Sequence, residues 1–353
     1  MAAGWERWER RESGPADAEH TALLLPGGMG SASQYQEIMA EPDLAGVRLV
    51  AVTLPGHGGT PEPDDISVEN YARLIAEAAA DLGCDVVVGF SMGANYALEM
   101  AGAGAFHGRL ILLAPSFSRR DEALFMRTLD QLGRVLGHLP FAALLKLMGP
   151  AMKQVPVTQE RRDSLTAEMQ KNSPAVFQRS IHVYLQYLDK YGSVARRLGE
   201  SGVAAWIVHG ERGDGGVTDE ERRTLEACPQ ISVITIPGAS YFTPVEEPAL
   251  VAKLIREALD RIPLSLGRVA TLSSDYSRCY SCSVDEWDIY LTSEVAAWLE
   301  SLQAADPKSG DLVDDAIYAL SCHGPALGRP LVDTIAGSSM KKLEGTATRI
   351  QRI

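Results

Sequence analysis

The chain has 353 residues, 46% of them hydrophobic, and its 33 basic and 46 acidic residues give a formal net charge of −13. This composition excludes a disordered chain and argues against nucleic acid or a membrane as a partner. No apolar segment resembles a secretory signal or reaches the roughly 18 residues of a membrane span. Because the five cysteines are also an odd number, we expect reduced thiols and a cytoplasmic protein.

The first 260 residues alternate apolar strands with amphipathic helices, which predicts an α/β fold with a doubly wound, mostly parallel sheet. The predicted strands are residues 21–25, 48–53, 85–89, 109–115, 203–208 and 231–236. The predicted helices are residues 67–82, 92–103, a helix from Asp219, and 246–260. Residues 118–200 are helical throughout, so we expect them to form a cap at the carboxyl edge of the sheet, where α/β proteins bind ligands.

Residues 89–93 read Gly-Phe-Ser-Met-Gly, a G-x-S-x-G motif that follows a β-branched strand and precedes a helix. A serine in a sharp strand-to-helix turn needs glycine neighbours, because other side chains would clash there. The strand and the helix make this motif more specific than its five letters alone. It predicts that Ser91 is a nucleophile.

Four stretches follow one another in the order found in α/β-hydrolase fold proteins. They are LLLPGGMGS (23–31), VTLPGHGGTP (52–61), GFSMG (89–93), and VHGERGDGGVT (208–218) with IPGASYFTPVEEP (236–248). On these stretches residues 1–262 resemble the α/β-hydrolase family. The resemblance implies Ser91 as the nucleophile, the Gly28 and Met92 backbone N–H groups as the oxyanion hole, and Asp214 as the acid, with Glu211 as the alternative.

The family's catalytic histidine position falls on Tyr241 in PGASYF. A serine hydroxyl needs a base with a pKa near 6–7, whereas a phenol with a pKa of about 10 stays protonated at neutral pH. Three histidines remain open as a replacement base: His209 beside the acid loop, and His182 and His138 in the cap. His57, in LPGHGG, is expected to be structural.

These residues favour a hydrolase of the esterase, lipase or thioesterase kind that acts on a small, fairly apolar acyl substrate. A non-catalytic protein that binds a ligand or partner through the same pocket is the alternative. We expect no cofactor and no metal, and the oligomeric state stays open. Apolar residues of the cap either line the acyl pocket or face the core, namely Leu124, Phe125, Met126, Leu144, Leu145 and Met148.

The Ser-rich residues 263–286 predict a linker, and a second segment, residues 287–353, follows. Residues 287–342, with WDIYLTSEVAAWLESL and GPALGRPLVD, resemble the HigB/RelE-like toxins, which implies RNA cleavage as a further alternative. The chain departs from that family at Lys341 and lacks its basic C-terminal strands, so we interpret the segment as a truncated remnant. The spacing of Cys279 and Cys282 relative to Cys322 does not fit a zinc site.

Overall fold

The computed structural model describes residues 4–122, 124–152, 155–212 and 217–260, and short pieces within 276–345. The chain forms two units, Met1–Ile262 and Pro263–Ile353. Among the described residues, no helix is both long and apolar enough to cross a membrane.

The first unit is built on a seven-stranded sheet. Its strands are β1 (Arg10–Ser13), β2 (Thr21–Leu25), β3 (Arg48–Val52), β4 (Val86–Phe90), β5 (Arg109–Leu113), β6 (Ala205–Gly210) and β7 (Ile231–Ile236). They pair in the order β1-β3-β2-β4-β5-β6-β7, and every pair is parallel except β1 with β3. The predicted α/β class with a mostly parallel sheet is therefore confirmed. Strand β1 was not predicted, because its sequence RRES is polar and largely exposed at the sheet edge.

Eleven α-helices occur in the described part of this unit. They are α1 (Gln36–Met39), α2 (Val68–Leu82), α3 (Met92–Gly102), α4 (Leu124–Leu136), α5 (Leu139–Met152), α6 (Gln159–Gln170), α7 (Pro174–Tyr191), α8 (Ala195–Glu200), α9 (Asp219–Glu226), α10 (Thr243–Glu246) and α11 (Pro248–Asp260). The sheet is covered on both faces. Leu23 and Leu25 of β2 point into the core shared with α2 and α3, and Ala22 and Leu24 point into the core shared with α11. This double burial explains why the strands are continuously apolar.

The segment that the sequence predicts to form a cap contains helices α4 to α8, between β5 and β6. Its apolar residues do not all behave as expected. Leu145 is buried, and Met126 and Leu144 pack partly buried against the core, but Leu124 and Phe125 are exposed. The expectation that these two line a pocket or face the core is wrong, because α4 turns a different side, which carries the buried Leu129, toward the protein. The side chain of Met148 lies outside the described residues.

The second unit contains two antiparallel strand pairs in its described pieces, β8 (Tyr276–Tyr280) with β9 (Ile289–Thr292), and β10 (Asp333–Thr334) with β11 (Glu344–Gly345). Strand β9 falls within the stretch WDIYL. Strand β8 lies inside the stretch whose Ser-rich composition predicted a linker, although its two tyrosines favour a strand. Most residues that resemble the HigB/RelE-like toxins lie outside the described pieces.

Candidate active site

Ser91 lies in a sharp turn between β4 and α3, at the carboxyl edge of the sheet. Its backbone has φ 52° and ψ −120°, a conformation that costs a non-glycine residue on the order of 1–3 kcal/mol. The surrounding structure enforces it: the Ser91 N–H donates to the Leu113 carbonyl of β5 at 2.8 Å, and the Ser91 carbonyl accepts from the N–H of Asn95 at 3.1 Å. The side chain is therefore presented, half-buried, at the tip of β4.

The two glycines of the motif are required by close packing around this turn. A Cβ at Gly89 would lie 2.6 Å from the Ala94 Cα, and a Cβ at Gly93 would lie 2.5 Å from the Pro26 carbonyl oxygen. Both distances are shorter than a carbon atom tolerates. Glycine is therefore needed at both positions, because α3 lies directly against the end of β4 and against the loop after β2.

The loop after β2 runs directly against Ser91. A Cβ at Gly27 would lie 3.3 Å from the Ser91 Cβ, and a Cβ at Gly28 would lie 2.7 Å from the Met92 Sδ. Met92 is the first residue of α3, so its N–H has no partner inside the helix. In the described part of the chain, neither this N–H nor that of Gly28 has a protein acceptor. Both amides are thus available beside the serine.

His57 holds this loop in place. Its Nδ1 accepts a hydrogen bond from the backbone N–H of Met29, a residue with φ 66°, at 3.2 Å. Burial lowers the pKa of the His57 imidazole to about 4, so the ring is neutral and fixed as an acceptor at Nδ1. From the cap, the side-chain amide of Asn172 donates to the Met29 carbonyl at 2.9 Å. His57 has the structural role expected of it.

The structure brings Tyr241 to Ser91 across 150 residues of sequence. The Tyr241 hydroxyl donates a short hydrogen bond to the Ser91 Oγ. Its ring packs against Phe90 of β4 with 5.0 Å between ring centroids, and against Phe242 with 5.5 Å. The alignment that places a tyrosine at the histidine position therefore corresponds to a direct contact with the serine.

The candidate acid loop follows β6 and is joined to the loop that carries Tyr241. Arg212 N–H donates to the Ala239 carbonyl at 3.0 Å, and Gly238 N–H donates to the Glu211 carboxylate at 2.7 Å. Glu211 is exposed and is engaged in this loop contact. Asp214, the residue that the resemblance implies as the acid, lies outside the described residues.

A strained serine at a strand-to-helix turn, with two backbone amides beside it, is typical of one family of proteins. A sequence model of the alpha/beta hydrolase family matches residues 22–254. The chain belongs to this family. No curated protein matches the chain in a sequence comparison.

Solved structures of several hydrolases have the same fold. A thermophilic esterase from Thermogutta terrifontis is 18% identical with a TM-score of 0.57, covering 71% of this chain and 92% of its own. A hydrolase from Oleispira antarctica is 15% identical with a TM-score of 0.57, covering 74% and 99%. The N-acyl homoserine lactonase AidH is 18% identical with a TM-score of 0.55, covering 72% and 95%. At these identities the similarity establishes the fold alone.

The three histidines considered as a replacement base lie in different environments. His182 Nδ1 contacts the Asp130 carboxylate at 2.9 Å and its Nε2 lies 3.1 Å from the Gln186 amide, both within the cap. His138 is exposed between α4 and α5, and His209 is buried in β6. The hydrogen bond that reaches the Ser91 Oγ among the described residues comes from Tyr241.

A polar cluster near this pair of side chains was not predicted from the sequence. The Tyr184 hydroxyl of α7 lies 2.9 Å from the Glu122 carboxylate and 3.1 Å from the Asn95 side-chain oxygen. Ser116 donates its hydroxyl to the same carboxylate at 2.6 Å. Burial, and then Glu122, raise the pKa of the Tyr184 phenol, and the nearby Tyr241 contributes. Asn95 is the one member that the motif could have indicated, because it lies one helical turn after Ser91.

Proposed function

We propose that the first unit is a serine-dependent hydrolase of esters or thioesters that have a small, fairly apolar acyl group. The observation that carries the proposal is the strained Ser91 beside the N–H groups of Gly28 and Met92, which have no acceptor among the described residues. Strain of this kind is retained where it presents a reactive group, and paired amides suit a developing oxyanion.

The acyl preference rests on the side chains around the serine. Phe90 and Phe242 pack against Tyr241, and Phe177 of α7 approaches the Gly28 position together with Met92. Apolar neighbours of this kind favour an apolar acyl group and leave the polar contacts to the backbone amides. The neighbouring esterase and lactonase folds both belong to enzymes named for cleaving an acyl–oxygen bond, which agrees with this substrate class.

In the proposed reaction the Ser91 Oγ forms a bond to the acyl carbon, the bond from that carbon to the leaving group breaks, and the serine proton passes through solvent to the leaving group. Water then cleaves the acyl-enzyme and restores the serine. The Gly28 and Met92 N–H groups stabilise the oxyanion in both steps. Tyr241 acts as a hydrogen-bond donor that orients the Ser91 Oγ, because a protonated phenol does not take up the serine proton at neutral pH. Loss of a triad base leaves a residual rate about 10³–10⁴ above water, so we expect slow turnover.

The test combines a reactive probe with a substrate series. A fluorophosphonate probe and p-nitrophenyl esters of increasing acyl length are applied to the full chain, to Ser91→Ala and to Ser164→Ala. Ser164 is an exposed serine of α6 and provides the matched control. We expect labelling and weak hydrolysis of the shorter esters in wild type and Ser164→Ala, and neither in Ser91→Ala. An unlabelled wild type without Ser91-dependent turnover would favour the non-catalytic binding protein instead.

A further inference from the structure

The cap exposes an apolar surface that the proposed reaction does not use. Of the eight large hydrophobic side chains that are exposed in the described residues, seven lie on α4 and α5, and they are between 46% and 82% exposed. These seven define the cap face: Leu124, Phe125, Leu132, Val135, Leu136, Leu139 and Leu147. Exposed apolar side chains concentrated on two adjacent helices are typical of a docking surface, whereas ordinary surface hydrophobic residues are scattered singly.

The α4 part of the cap face is one side of a helix. At about 100° per residue, its members Leu124 to Leu136 fall within an arc of about 120°. The buried residues Leu129 and Gly133 lie outside that arc and pack toward the protein. On α5 the exposed Leu139, Ala143 and Leu147 continue with the same helical spacing. Both helices therefore bury one side and leave an apolar side uncovered.

The charged side chains that α4 and α5 expose to solvent are all positive. Arg134 and Lys146 are exposed, and Arg127 is partly exposed. The one acidic residue of α4 and α5, Asp130, is 3% exposed and is paired with Arg134 at 3.0 Å. The cap face is thus apolar and cationic in a chain whose formal net charge is −13.

We propose that the cap face docks on an anionic lipid surface. Apolar side chains beside Lys and Arg on a helix lying in the interface gain both burial in the acyl region and attraction to anionic headgroups. A second copy of the chain fits less well, because it would bring the same cations opposite one another. The local charge on the cap face thus outweighs the overall acidity, which by itself led us to expect no membrane association.

The proposal goes beyond the proposed hydrolase function, and its test does not depend on activity. The full chain with Ser91→Ala, which does not turn over lipid, is sedimented with vesicles of phosphatidylcholine alone or with about 30 mol% phosphatidylglycerol. We expect binding to the anionic vesicles, little binding to the neutral ones, and release when the ionic strength is raised to about 0.5 M.

Two substitutions separate the apolar and the cationic contributions. In the same background, Val135→Asp with Leu139→Asp is expected to weaken anionic-vesicle binding by about tenfold or more, since it removes buried apolar area and adds repulsion. Lys146→Glu is expected to weaken it by about tenfold through charge alone. Ala167→Asp, at an exposed position of α6, is the matched control and should bind like the parent chain. Thermal unfolding of each variant verifies that it folds.

Three results would overturn the proposal. The first is no sedimentation with either vesicle, and the second is equal binding to neutral and anionic vesicles. The third is a dimer in light scattering that Val135→Asp with Leu139→Asp dissociates, because the cap face would then be an interface between copies. The proposal is supported if the protein is a monomer that binds anionic vesicles, and if this binding is lost both in Val135→Asp with Leu139→Asp and in Lys146→Glu.

Discussion

At the scale of single residues, the hydrogen bond between Tyr241 and Ser91 is the contact that bears most directly on the proposed chemistry. A histidine at position 241 would accept the serine proton in one step and return it to the leaving group in the next. A tyrosine phenol at the same place donates to the Ser91 Oγ instead. In the proposed reaction, this pair therefore orients Ser91 without removing its proton.

This difference predicts the effect of restoring the base. We expect Tyr241→His to raise kcat on p-nitrophenyl acetate by about tenfold or more, with a gain limited by geometry, since a misplacement of about 1 Å costs 10² in rate. The pH profile of kcat should rise through the imidazole range near pH 6.5. Steady-state kinetics between pH 5 and pH 9 measure both effects.

The control for this prediction is Tyr241→Phe, which keeps the ring against Phe90 and removes the hydroxyl. It should lack the rise near pH 6.5. A fast wild type that loses activity in His209→Ala, His182→Ala or His138→Ala would instead show that one of these histidines is the base, and the assignment of Tyr241 would be wrong.

At the scale of elements, one buried arginine joins the cap to the sheet domain. Arg161 of α6 is 7% exposed, and its guanidinium donates to the Glu37 carboxylate at 2.6 and 2.9 Å and to the Ser33 carbonyl at 2.8 Å. Glu37 is 25% exposed, so water partly hydrates its carboxylate once the arginine is removed. Since loss of hydrogen bonds to a charged group costs about 1.5–3 kcal/mol, Arg161→Ala should lower the free energy of unfolding by about 2 kcal/mol in urea denaturation.

The matched control for Arg161 is an arginine on the surface. Arg73 of α2 pairs with Glu77 one helical turn away, and both side chains are 54% exposed. Exposed pairs of this kind contribute about 0.3–0.5 kcal/mol. If Arg73→Ala destabilises the protein as much as Arg161→Ala, the connection between cap and sheet domain does not depend on the buried pair.

The loop between β5 and α4 contains a carboxyl group whose ionisation makes stability depend on pH. The carboxylate of Asp121, just before α4, accepts the N–H groups of Phe117 and Ser118 at 2.8 and 2.6 Å. Burial first, and then the neighbouring Glu221 of α9, raise the pKa of Asp121 to about 6. Since the unfolded value is about 3.9, the folded chain holds this proton more tightly, and ionisation between about pH 4 and pH 6 lowers stability.

The corresponding prediction uses Asp121→Asn, which keeps a side-chain oxygen and cannot ionise. Relative to this variant, wild type should become more stable by about 1 kcal/mol when the pH is lowered from about 8 to about 5. Urea midpoints at the two pH values measure the difference. The same comparison with Asp163→Asn, at an exposed position of α6, should show no such change. A gain in the opposite direction would contradict the raised pKa of Asp121.

At the scale of the whole molecule, the chain divides into units of unequal size at residue 262. The first unit contains the entire seven-stranded sheet and both hydrophobic clusters that cover it. A chain of residues 1–262 should therefore be soluble and unfold in one cooperative transition, measured by thermal denaturation. Limited proteolysis of the full chain should cut first within 263–285. Aggregation of the shorter chain would mean that the C-terminal unit belongs to the hydrolase core.

Many of the secondary-structure elements could be predicted from the sequence, because they depend on residues that are close together along the chain. Continuous apolar runs predicted the strands β2 to β7 within a few residues, and the glycines around Ser91 predicted its turn. These patterns are local, since a parallel strand buried on both faces must be apolar throughout. Strand β1 was not predicted, because a polar edge strand lacks the continuous apolar run by which the other strands were recognised.

The contacts that decide the chemistry and the surfaces came only from the tertiary structure. Ser91 follows β4 and Tyr241 follows β7, and the fold brings the two side chains into contact. Neither local sequence predicts the order of strands in the sheet that makes this contact possible. The cluster of Glu122 with Tyr184 likewise joins the loop after β5 to a cap helix. Composition predicted apolar cap helices, but the packing of α4 and α5 decided which apolar side faces solvent. The sequence by itself thus determined the strands and the sharp turn at Ser91, because short-range sterics and burial set them. The residues that surround this turn, such as Tyr241, are brought there by long-range packing, which the tertiary structure alone shows.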